Sequence, residues 1–63
     1  LVHNIKDLGE IEFDFRQIDF IGPAFADELL RRAKGKNKNI DVSWINANRM
    51  VDMLMSRAAK RFD

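Results

Sequence analysis

Two short stretches of strictly alternating polarity limit what this chain can fold into. In "EIEFDF", residues 10–15, Ile11, Phe13 and Phe15 point one way and Glu10, Glu12 and Asp14 the other. In "IDVSWI", residues 40–45, Ile40, Val42 and Trp44 share one face and Asp41 and Ser43 the opposite one. A period of two marks a strand with one buried face. About 24 residues separate the two stretches and include a helical segment. A strand–helix–strand unit of that length sets the strands parallel, with a right-handed crossover. Strands of all-parallel sheets usually read as continuous apolar runs, because both faces are covered. The alternation here predicts helices on one face only, and a second face that is polar or covered from outside the chain.

The helices follow from spacing. Gly22-Pro23 opens one over 23–34: proline suits the first helical position, where its missing N–H costs nothing. Phe25, Ala26, Leu29, Leu30 and Ala33 form its apolar stripe, and Gly35 ends it. Glu28 and Arg32, and Asp27 and Arg31, are spaced for i,i+4 pairs. "RQID" turns after the first strand, and Ile18, Phe20 and Ile21 return to the core. After the second strand, "NAN" offers Asn46 as an N-cap, with Asn48 as the competing choice. Val51, Leu54, Met55, Ala58 and Phe62 then recur at helical spacing, which predicts an amphipathic helix over 47–62. At the other end, Leu1, Ile5 and Leu8 also fall at helical spacing, with Gly9 placed as a C-cap. The spacing predicts a helix over 1–8. No internal repeat or interdomain linker is visible.

With 63 residues there is room for one domain with a thin stability margin. There is no cysteine, which excludes disulfides and thiolate metal sites and fits a cytoplasmic setting. The core must therefore carry the fold, and a hydrophobic content of 46%, with five Phe and one Trp, is adequate for that. Two parallel strands are thin for independent stability, so missing strands or a second chain would complete the sheet. The chain starts at Leu1, not Met, which suggests a trimmed or partial domain. Eleven basic and ten acidic residues give a net charge near +1, which argues for no strong field toward nucleic acid or membrane. No apolar run approaches a membrane span.

The chemical inventory is short. There is no Cys, Thr or Tyr, and the only side-chain hydroxyls belong to Ser43, in mid-strand, and Ser56, within the last helix. Neither position is a strand-to-helix elbow that would expose a nucleophile. His3 is the sole histidine, lies near a terminus, and reads as a surface residue. Asp14 and Asp27 fall near the edge of the sheet where ligand sites of open α/β folds gather, so a carboxylate pair is conceivable there. No convergent group accompanies them, and no metal or cofactor is expected. Gly22-Pro23 is a weak phosphate loop: it has one glycine, loses an N–H at proline, and is followed by two acids. The basic run from Arg31 to Lys38 could touch nucleic acid, but it reads better as a solvated helix end that favours cations. Met50, Met53 and Met55 place apolar groups on more than one side of the last helix, a hint of a second surface.

Several pieces taken together carry a resemblance: "FDF" at 13–15, "IG" at 21–22, "AFADE" at 24–28 and "INAN" at 45–48. Residues 10–59 resemble the bacterial STAS-like domains of unknown function, which are similar to the STAS domains of anti-sigma factor antagonists. The resemblance implies one STAS-like α/β domain over 1–63, complete or partial: an open sheet with parallel strands 10–15 and 40–45, and helices 1–8, 23–34 and 47–62 packed on one face. A full STAS domain would have further N-terminal strands. The resemblance also implies a non-enzymatic, regulatory, cytoplasmic protein-binding module, with a GHKL-type ATPase as a partner of that kind. In antagonist STAS domains a serine after the strand is phosphorylated to release the partner. The matching positions here include Pro23 and Ala24, which carry no hydroxyl, so that switch does not carry over. Docking is expected at the start of helix 23–34 and the adjoining loops, with Asp27, Glu28, Arg31, Asn46 and Asn48 as candidate contacts; Phe25 is named with them, but Phe20 and Phe25 read as core more than as contacts. Two alternatives are self-association through open sheet edges and, less favoured, nucleic-acid binding through Arg31–Lys38.

Overall fold

The computed structural model describes residues 1–7, 9–35 and 39–62. The elements run β1 (Val2–Asp7), β2 (Glu10–Asp14), α1 (Pro23–Lys34), β3 (Asp41–Ile45) and α2 (Arg49–Arg61). The three strands form one sheet in the order β1-β2-β3. β2 and β3 pair in parallel, with Phe13 beside Trp44 and Ile11 beside Val42. The two alternating stretches are thus the strands they predict, each within one residue of its expected bounds.

The N-terminal helix is not there. Val2–Asp7 is a strand, antiparallel to β2, with His3 opposite Phe13 and Ile5 opposite Ile11. Gly9 is not a helix cap but part of the turn into β2, at φ +89°, a conformation that costs glycine little and an L-residue about 1–2 kcal/mol. Leu8, the third member of the apparent helical stripe, lies outside the described residues, as do Lys36 and Lys38. β1 supplies a third strand, so the sheet is mixed rather than a bare parallel pair.

α1 and α2 cover the face of the sheet that carries Phe13 and Trp44. The core joins Phe13, Phe15 and Ile21 to Ala26 and Leu30 of α1 and to Val51, Met55 and Ala58 of α2. Phe15, Leu30, Val51 and Met55 are the largest fully buried side chains. Burying each is worth about 1.5–3 kcal/mol relative to exposure. Trp44 Nε1–H donates to Asp52 Oδ1 at 2.8 Å, tying β3 to the first turn of α2. On the opposite face Glu12 is only 8% exposed, between Asn4 and Ser43 of the flanking strands, because β2 is the central strand.

Candidate functional site at the sheet edge

Both helices begin where β2 and β3 end, so the connections 15–22 and 46–48 share one edge of the sheet. Phe15 N–H donates to the Ile45 carbonyl at 3.0 Å and extends the ladder by one bond. The chain then reverses: Ile18 N–H donates to the Phe15 carbonyl at 3.0 Å, and Gln17 sits at φ +67°. Asp14 anchors this reversal. Its Oδ1 accepts from the Arg16 backbone N–H at 2.9 Å and from Asn46 Nδ2 at 3.1 Å, and its Oδ2 accepts from the Arg16 guanidinium at 3.3 Å. The Asn46 amide, then the Arg16 N–H, hold the Asp14 carboxyl below the usual range, because both bond the charged form.

Of the two cap candidates, the competing choice is the cap. Asn46 is not the cap of α2; it sits at φ +58°, which asparagine tolerates better than most residues, and turns its side chain back to Asp14. Asn48 is the cap: its Oδ1 accepts from Val51 N–H at 2.8 Å, and its Nδ2 donates to the Asp19 carbonyl at 2.9 Å.

Asp27, Glu28 and Arg31 lie apart from these asparagines and are engaged with other side chains of α1 and α2. Glu28 accepts from Arg31 Nη2 at 2.6 Å and from Arg32 Nε at 2.8 Å. The pairing with Arg31, then with Arg32, holds its carboxyl down at about 2. Asp27 pairs not with Arg31 but with Arg61 of α2, whose Nε donates at 3.1 Å. The spacing offered Arg31 alone; the proximity of the last turn of α2 brings in Arg61 instead. At about 100° per residue, Asp27 is roughly 200° around the helix from Phe25.

What occupies the start of α1 is apolar. Phe20 is 67% exposed and Phe25 44%, so neither belongs to the core as expected. With Leu1, 49% exposed, they border an open concavity of about 280 Å³ floored by Phe15, Ile18 and Ile21. Pro23 and Ala24 are exposed beside it, after Gly22, whose carbonyl accepts from Ala26 N–H at 3.2 Å. The signal for Phe25 was available: Ala26, Leu29, Leu30 and Ala33 centre the apolar stripe about a quarter-turn away from it. Phe20 adjoins Ile21, which takes the buried position in the connection.

A larger groove of about 750 Å³ lies at the other end of the sheet, lined by Arg31, Lys34, Asn39, Asp41 and Arg61 among others. Both of its arginines already hold carboxylates, Glu28 and Asp27. Among the described residues no group of three or more His, Asp and Glu could hold a metal ion. Nor, among the described residues, is any helix long and apolar enough to cross a membrane.

A three-stranded mixed sheet with two helices on one face, and an edge that presents apolar surface, make a small α/β module. The chain belongs to the family described as STAS-like domain of unknown function (DUF4325), whose model matches residues 1–52. No curated protein and no solved structure matches it.

Proposed function

We propose that this chain is a non-enzymatic, regulatory protein-docking module of the cytoplasm, whose partner seats on the start of α1. The observation that supports it is the pair of exposed phenylalanines, Phe20 and Phe25, around an apolar concavity at the sheet edge. Exposed aromatic side chains grouped around a pocket are the usual anchors of protein interfaces. With Pro23 and Ala24 where related domains carry a phosphorylatable serine, docking here has no local phosphorylation release. The family resemblance makes a GHKL-type ATPase the first partner to test.

The expected charged contacts are less available than the two phenylalanines. Asp27, Glu28 and Arg31 are engaged in ion pairs within the chain, so a partner would have to displace those pairs to use them. Titration of a purified GHKL-type ATPase domain with Phe25→Asp and Phe20→Asp should weaken binding at least about tenfold. Asp27→Ala and Glu28→Ala should change it by less than about threefold, as exposed ion pairs usually do. The reverse ranking would move the surface to the charged side of α1, and no binding by the unaltered chain would remove this partner class.

Self-association is the second reading, favoured by the exposure of Val2 and Ile5 on the outer strand β1. Nucleic-acid binding through Arg31–Lys38 draws less support, because Arg31 and Arg32 share Glu28 and the remaining lysines after Lys34 lie outside the described residues.

A further inference from the structure

Phe20 makes little packing of its own, so its position depends on what holds the backbone beside it. Ile21, buried, holds one side. On the other side is Asp19, whose carbonyl receives the Asn48 side chain at 2.9 Å. The same amide caps α2 through Oδ1. Its orientation is dictated by its partners, since Val51 N–H can only donate and the Asp19 carbonyl can only accept. Asn46 does the matching task at the near end of the connection, through Asp14. Two asparagines from the β3–α2 connection therefore hold both ends of the β2–α1 connection.

We propose that Asn48 is a positioning residue for the docking surface, fixing the segment that bears Phe20 to the start of α2. This assignment rests on the docking reading, but the hold itself can be measured without a partner. An amide offers an acceptor and a donor on two separate atoms of one short stem. Aspartate keeps the acceptor and loses the donor, and serine caps but is shorter. Substitution can therefore separate capping from holding.

In Asn48→Asp, amide hydrogen exchange over residues 16–21 should quicken roughly three- to tenfold, the range of one lost hydrogen bond. The amides of Val51 and Asp52 should keep their protection. Asn48→Ser, which adds no charge, should show the same split, whereas Asn48→Ala should loosen both regions. Exchange over 16–21 that stays within about twofold of the unaltered chain in both capped variants would overturn the hold. Titration of the same GHKL-type ATPase domain supplies the second arm. Weakened binding by Asn48→Asp supports the positioning role; quickened exchange with unchanged affinity overturns it. If the unaltered chain binds nothing while exchange over 16–21 quickens, the docking reading fails and the hold stands.

Discussion

Glu28 shows how one residue can be engaged without being central. Two guanidiniums bond its carboxylate, so the folded chain favours the ionised form and its carboxyl is held at about 2, from an ordinary 4.5. A depressed carboxyl contributes stability that is fully present above its unfolded value and is lost as pH falls from about 4.5 toward 2. A carboxyl-carbon NMR titration should place the Glu28 midpoint at the low end of that window. Arg31→Ala should raise the midpoint more than Arg32→Ala, because the Arg31 hydrogen bond is the larger cause. A midpoint in the ordinary range for the unaltered chain would show that the pairs do not persist in solution. The i,i+4 spacing of Glu28 and Arg32 was readable from sequence. The Arg61 partner of Asp27, 34 residues away, was not, because nothing local encodes which helix ends meet.

At the scale of elements, the parts with a neighbour above them were readable and the part without one was not. β2 and β3 alternate because α1 and α2 cover one of their faces. β1 has no such pattern: Ile5 lies on the helix side of the sheet yet is 76% exposed, and Val2, on the other side, is exposed too. No burial contrast was imposed on Val2–Ile5, all exposed, and the chance spacing of Leu1, Ile5 and Leu8 suggested a helix. Pairing with β2 decided the outcome. The tie between β3 and α2 can be tested directly, since Trp44 is the chain's one tryptophan. Asp52→Ala removes the acceptor of its indole N–H and should cost about 1 kcal/mol, measured by denaturant unfolding. Trp44 emission in the folded state should shift with it, while Asp52→Asn, which keeps an acceptor oxygen, should do less of both. Unchanged stability and emission in Asp52→Ala would mean that the tie contributes nothing.

For the whole molecule, the open question of association turns on β1. Its outer edge carries apolar side chains, but the pairing register slips between Ile5 and Asp7, and such bulges spoil an edge as a template for further strands. Light scattering should give a monomer mass that does not change with concentration. A mass rising toward twice that value, and restored by Ile5→Lys, would bring self-association forward.

The family match ends at residue 52, yet α2 runs on to Arg61. Met55 and Ala58, both fully buried, and the arginine that holds Asp27 all lie beyond that point. A boundary drawn where family agreement stops would cut through the interior of this protein and remove Met55 and Ala58 from the cluster that holds Phe13 and Leu30. Expression trials and domain surveys that adopt the matched stretch as the unit would therefore be working with a piece lacking part of its own core.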